Sequence, residues 1–134
     1  MRAAAAVPRR AVALVAGLAI LLSACGVLGG VEAAPLGARI GALETEIRLK
    51  IGPARCQADE DCRALPIGAL ACGGPSAFLP YSVVGTDQAG LERAAEAHRR
   101  LSAEQVRADG RLGPCMMLSP PLPRCERARS TCTF

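Results

Sequence analysis

Apolar positions first fall into a helical rhythm between residues 40 and 51. Ile40, Leu43, Ile47 and Ile51 recur at intervals of three and four, with Glu44, Glu46, Arg48 and Lys50 on the other side. Ile47, Leu49 and Ile51 would also suit an alternating strand, but the helix-forming composition and the Gly52-Pro53 stop predict an amphipathic helix. A longer helix is predicted further on. Thr86-Asp87 supplies a capping pair, then Leu91, Ala94, Ala95, His98, Leu101 and Val106 mark one face. Glu92, Arg93, Glu96, Arg100, Glu104 and Arg107 occupy the rest, and Gly110 closes the element. Ser102-Ala103-Glu104-Gln105 has the form of a capping box, which predicts a kink or restart there.

Between these helices, Arg63 to Ala71 and Phe78 to Val84 are short β-favouring runs separated by a Cys-Gly-Gly-Pro turn. After the second helix, Cys115 to Leu118 and Cys125 to Phe134 are predicted as further strands around Pro120-Pro121-Leu122-Pro123. The expected architecture is a small disulfide-bonded α+β domain over residues 40–134, with a short antiparallel sheet and two helices. Residues 25–39, rich in Gly, Ala and Pro and without a sustained period, form the expected flexible tether. Its coil span is roughly 20 Å.

Residues 1–24 have the pattern of a targeting segment. Arg2, Arg9 and Arg10 form a positive start, and Ala11 to Leu22 is an apolar run of 12 residues, too short to span a bilayer comfortably. The run closes on Leu22-Ser23-Ala24-Cys25, which resembles the lipobox of bacterial lipoproteins. That resemblance implies cleavage before Cys25, a diacylglycerol thioether on its thiol and a further acyl chain on its amine. Chains of this kind, at ~0.8 kcal/mol per buried methylene, hold a protein at a membrane. The implied location is the bacterial cell envelope, periplasmic or surface-exposed. Arg9-Arg10 could also begin a twin-arginine export signal, which Ala11-Val12-Ala13 continues poorly.

Composition changes this picture in two ways. The 51% apolar content is weighted toward the first 24 residues, and the chain has no Trp, two Phe and one Tyr. The domain core is therefore thin. The formal charge of +4 also falls once Arg2, Arg9 and Arg10 are set aside, leaving no electrostatic basis for a nucleic-acid partner or a polybasic membrane patch. Apart from Cys25 there are six cysteines: Cys56, Cys62, Cys72, Cys115, Cys125 and Cys132. An even number in an exported chain predicts three disulfides, each worth ~2 to 4 kcal/mol. Spacing does not choose among the 15 pairings. Cys56 to Cys62 and Cys115 to Cys132 are geometrically easy, which would leave Cys72 to Cys125. No C-x-x-C pair occurs and His98 is the single histidine, so no metal site, thioredoxin-type centre or covalent haem is expected.

The string Cys56-x5-Cys62, Ile67-Gly68, Ala71-Cys72-Gly73-Gly74-Pro75, Tyr81-Ser82 and Thr86-Asp87, followed by Cys115, Cys125 and Cys132, resembles a group of small exported bacterial proteins with an A-C-G-G-P block. The resemblance covers about 80 residues, implies an exported disulfide-bonded domain and carries no catalytic residue with it. Cys56-Gln57-Ala58-Asp59-Glu60-Asp61-Cys62 also resembles the C-x-x-D-x-x-C start of whey-acidic-type inhibitor modules, but the adjacent cysteine pair of those modules is missing.

The remaining candidates for chemistry each have a plainer reading. His98 falls on the apolar face of its helix, and no serine has a G-x-S-x-G or S-x-x-K context. Asp59-Glu60-Asp61 lacks calcium-loop spacing, and Met116-Met117 would point to opposite faces of a strand rather than converge on copper. Arg124, Arg127 and Arg129 make a basic spot without interleaved aromatics. The expected role is non-catalytic and without a cofactor: a lipid-anchored binding or structural module for an envelope protein partner, or else a small inhibitor of an envelope or extracellular hydrolase. The candidate recognition surface is Gly73, Gly74, Pro75, Phe78 and Tyr81, where two of the scarce aromatics adjoin a glycine turn. The competing reading places Phe78 and Tyr81 in the core.

Overall fold

In the computed structural model, residues 33–110, 113 and 115–134 are described. The targeting segment, Cys25 and most of the expected tether lie outside them. Residues 34–134 cluster as one unit, and among the described residues no helix is long and apolar enough to cross a membrane.

Helix α1 spans Leu36–Ile51, beginning at Leu36 rather than at Ile40. Pro35, at the N-cap with φ −50°, sets the backbone direction just before the first turn, so Leu36 to Arg39 join the helix instead of the tether. Glu44 pairs with Arg48 at 2.7 Å and Glu46 with Lys50 at 3.7 Å, and both basic residues favour the negative end of the helix dipole. The element stops at Gly52, whose φ of +57° an L side chain resists and whose N–H donates to the Arg48 carbonyl. The apolar face is the expected one, with Ile47 fully buried, Ile40, Leu43 and Ile51 half-buried and Leu49 exposed.

Strands β1 (Cys62–Ile67) and β2 (Ala77–Ser82) pair antiparallel, Cys62 opposite Ser82 and Ile67 opposite Ala77. Each strand carries a proline. The Val83 N–H donates to the Asp61 carbonyl at the start of the ladder, so alternation puts Ala64, Pro66, Phe78 and Pro80 at positions whose backbone polar groups point away from the partner strand. Pro66 and Pro80 thus cost the ladder nothing and blunt its two free edges. The same alternation sets the faces. Leu65, Ile67, Ala77, Leu79 and Tyr81 look inward, where they meet Ile47 of α1 and Leu91, Ala94 and Ala95 of helix α2.

Helix α2 spans Gln88–Ala108. Its cap is the Asp87 carboxylate, which accepts from the Gly90 N–H at 3.0 Å. The expected break at Ser102 does not occur: its hydroxyl donates to the His98 carbonyl one turn back, at 2.8 Å, and the helix runs through. Alanines at 94 and 95 let α1 approach closely, and burying Ile47 and Leu91 completely contributes roughly 1.5 to 3 kcal/mol for each side chain.

A second sheet, β3 (Arg124–Glu126) with β4 (Thr131–Thr133), forms a small hairpin. The expected strand at Cys115 to Leu118 is absent, and Met116, Met117 and Leu118 lie exposed in chain without regular secondary structure. The bridges are Cys56–Cys125, Cys62–Cys132 and Cys72–Cys115, with Cα separations of 5.8, 5.6 and 5.3 Å. All three differ from the easy pairings weighed above. Cys56 and Cys62 flank a 3-10 turn, Asp59–Asp61, that closes without a covalent link. The Asp61 carboxylate accepts from the Gln57 and Ala58 N–H groups at 2.7 and 3.1 Å, which holds its pKa below the usual carboxylate range. Both sulfurs are then free to face the hairpin, where Cys125 and Cys132 stand directly opposite one another. Ala54, Cys56, Cys62 and Cys132 make a second buried cluster, joined to the first through Ile51.

Candidate functional site

Beyond Ile67 the chain leaves the ladder through Gly68, at φ +69°. A Cβ there would lie 1.8 Å from the Ser76 hydroxyl oxygen, so only glycine lets the two arms of the loop close. The Leu70 N–H then donates to Gly74 and the Gly73 N–H to Leu70, both at 3.0 Å, and Gly73 and Gly74 adopt φ of +91° and +81°. Cys72 fixes the outer end of this turn through its bridge to Cys115. The inner end is fixed by His98, whose Nδ1 accepts from the Gly68 N–H at 3.1 Å.

That hydrogen bond defines the state of the histidine. With Nδ1 accepting, the neutral ring carries its proton on Nε2, which is buried and finds no partner among the described residues. Burial pushes the His98 pKa below its ordinary value, Arg99 acts in the same sense, and Glu44 opposes them. His98 is 4% exposed and its one accepting nitrogen is committed to a backbone amide, so it braces the turn and presents no free base to a substrate.

Between the braced turn and α2 lies a cleft of ≈ 500 Å³. One wall is Gly68 to Leu70 with Gly73, Gly74 and Pro75; the other is Glu96, Arg99, Arg100 and Ala103, which recur at three and four along α2. The Arg99 guanidinium is already engaged, donating to the Pro66 carbonyl at 2.7 Å and pairing with Glu96. Arg100 has no ion pair or hydrogen bond among the described residues and stands at the cleft edge. The arrangement offers an apolar floor, a backbone turn and one uncommitted cation.

The structure divides the expected recognition residues. Gly73, Gly74 and Pro75 line the cleft. Tyr81 is in the core, where burial raises its hydroxyl pKa and Glu92 adds to the effect. Phe78 is half-buried on the outer face of the sheet opposite Pro66. The two aromatics do fall on opposite faces, but neither reaches the cleft. Arg99 and Arg100 were missed as site residues because a charged helix position looks solvated until the loop packed beside it is known. Their spacing with Glu96 and Ala103 was the available signal.

The other candidates have structural roles or stand apart. Asp59 accepts from the Cys125 N–H at 2.7 Å, fastening the acidic turn to the hairpin. Arg124, Arg127 and Arg129 are exposed, with Arg129 3.8 Å from Glu126. Met117 and Leu122 are 89% and 90% exposed on the proline-rich segment between Cys115 and Cys125. Comparison of the chain with protein-family models, curated proteins and solved structures finds no match.

Proposed function

We propose that this chain is a lipid-anchored protein of the bacterial cell envelope whose disulfide-bonded domain binds an envelope partner without catalysing a reaction. The observation that carries the binding part is the cleft beside the Gly73-Gly74-Pro75 turn, held at both ends and edged by an uncommitted Arg100. The anchor rests on the Leu22-Ser23-Ala24-Cys25 box, and three disulfides accord with an oxidising compartment. The non-catalytic part is supported by the position of His98, bound to Gly68 rather than to a nucleophile. Metabolic labelling with a fatty acid tests the anchor. The wild-type chain should incorporate label and Cys25→Ala should remain an unlabelled precursor; equal labelling of both would end the lipoprotein reading.

A specific observation favours the inhibitor as a second reading. The segment Met116 to Pro123 is rich in proline, exposes Met116, Met117 and Leu122 while Pro121 and Pro123 are half-buried, and is flanked by half-cystines that are both bridged into the domain. A stiffened loop with exposed apolar side chains is the form a stoichiometric hydrolase inhibitor requires. Titration against a panel of envelope proteases and lysozymes distinguishes the two readings: complete inhibition at equimolar ratio, lost in Met117→Asp, would favour the inhibitor.

A further inference from the structure

The second buried cluster brings together sulfurs that are far apart in sequence. The Sγ atoms of Cys56, Cys62 and Cys132 all lie within 4.8 Å of one another, and half-buried Cys125, bonded to Cys56, sits just outside that group. These atoms belong to two different bridges. Breaking both bonds would therefore leave three buried thiols together and a fourth, Cys125, beside them on the hairpin. In a tetrahedral tetrathiolate site the metal–sulfur distance is about 2.3 Å, which places neighbouring sulfurs roughly 3.7 Å apart. The two bonded pairs would have to open, the three grouped sulfurs close by about 1 Å at most, and Cys125 swing further inward on its short hairpin.

One cation stands close by: the Arg63 guanidinium donates to the Glu60 and Cys62 carbonyls, both at 2.8 Å. It offsets part of the net double negative charge of a divalent cation with four thiolates. The backbone frame is independent of the sulfurs: the Cys56 N–H donates to Ser130, the Cys132 N–H to Ala54 and the Cys125 N–H to Asp59. The ligands come from four places in the fold, namely the two ends of the acidic turn and the two facing strands of the hairpin. Spacing along the sequence could not reveal them.

We propose that reduction of Cys56–Cys125 and Cys62–Cys132 converts this cluster into a binding site for a soft divalent d10 cation of the zinc class. The corner between the acidic turn and the hairpin then has two closed states, two disulfides or one tetrathiolate metal. In the reducing step a dithiol gives two electrons and two protons to each bridge and leaves as its own disulfide. The cation displaces four thiol protons as it binds. Reoxidation by a disulfide-exchange oxidant removes the thiolates pairwise and ejects the cation. A chain still reduced before export, or reduced afterwards, would hold this corner together with metal in place of covalent bonds.

The test uses the full chain carrying Cys25→Ser, so that only the six domain cysteines remain. It is reduced with a phosphine, freed of reductant without oxygen and titrated with Cd²⁺. The expected result is thiolate-to-cadmium charge-transfer absorption that saturates at one equivalent, with release of about four protons. Cys72→Ser with Cys115→Ser should leave the titration unchanged, and Cys62→Ser with Cys132→Ser should abolish the saturating step. Equal loss in both double variants would mean capture by an unfolded polythiol chain and would overturn the proposal, as would absence of the charge-transfer band. A reduced chain that fails to fold without metal does not blur the outcome, since recovery of helical ellipticity at one equivalent of Cd²⁺ is then expected as well. Failure of that recovery would also count against the site.

Discussion

The two bridges of the cysteine cluster are interleaved, and their energies should not add. Cys56–Cys125 and Cys62–Cys132 join residues 69 and 70 apart, and in a chain carrying Cys72→Ala and Cys115→Ala, where no third bridge shortens these loops, either alone would cut the entropy of the unfolded chain by an amount worth ~4 kcal/mol. Once one is present, the other closes only the ring made of the Cys56–Cys62 and Cys125–Cys132 segments, about 13 residues, worth ~3 kcal/mol. In that background, replacing either pair by alanine should therefore cost ~3 kcal/mol, and replacing both ~7 kcal/mol, roughly 1 kcal/mol more than the sum of the single losses. The assay is urea unfolding followed by far-ultraviolet ellipticity, with all four proteins in the same concentration of trimethylamine N-oxide so that the weakest remains folded. Additive losses, or a single-pair loss equal to the full ~4 kcal/mol, would show that the bridges do not constrain overlapping loops, and this reasoning would be refuted.

Three further outcomes follow from the same contacts. Gly68→Ala should destabilise by ~2 kcal/mol or more in the same unfolding assay, because its Cβ would meet the Ser76 hydroxyl at 1.8 Å while φ stays at +69°; a change below ~0.5 kcal/mol would contradict the geometry. His98 should make the domain sensitive to acid. Its folded pKa is depressed by burial, so the unfolded chain takes the proton first, and stability present above about pH 6.5 should decline as pH falls through the lower folded value. His98→Gln should flatten that decline, and an unchanged pH profile would count against the Gly68 hydrogen bond. Leu91→Ala, which truncates a fully buried side chain on the α2 core face, should cost ~2 to 5 kcal/mol in urea, whereas Leu122→Ala on the exposed loop should change stability by less than ~0.5 kcal/mol.

Much of the fold was legible because local signals and packing agree. The three- and four-residue recurrence of Ile40, Leu43, Ile47 and Ile51 sets the buried face of α1, and the Asp87 cap and Gly110 bracket α2 as the pattern implies. Where local signals compete, the chain took the tertiary solution. Ser102 could begin a helix, but its hydroxyl bonds backward to His98 and the helix continues. Cys115 to Leu118 has strand-favouring residues but pairs with no strand among the described residues, so it stays irregular and exposed. The disulfide pairing was illegible for a definite reason. Short loops make Cys56–Cys62 look easy, whereas the Asp61 carboxylate already closes that turn and the hairpin register then presents Cys125 and Cys132 side by side. The cleft was half legible: glycines at 73 and 74 announced an unusual turn, but Arg99 and Arg100 became its opposite wall only through the packing of α2 beside the loop. Tyr81, attractive as an exposed anchor in a chain so poor in aromatics, was drawn into the core for that same scarcity.

The central claim is that the cleft between the glycine turn and α2 is where this anchored domain meets a partner. Photo-crosslinking in the native cell measures it most directly, with a photoreactive amino acid placed at Arg100 on the cleft edge and, separately, at Arg48 on the exposed side of α1. The account predicts one discrete crosslinked species from position 100, removed by Ala69→Trp in the opposite wall, and none from position 48. Crosslinks of equal intensity and pattern from both positions, or none from position 100 in a chain shown to be folded and lipidated, would contradict it.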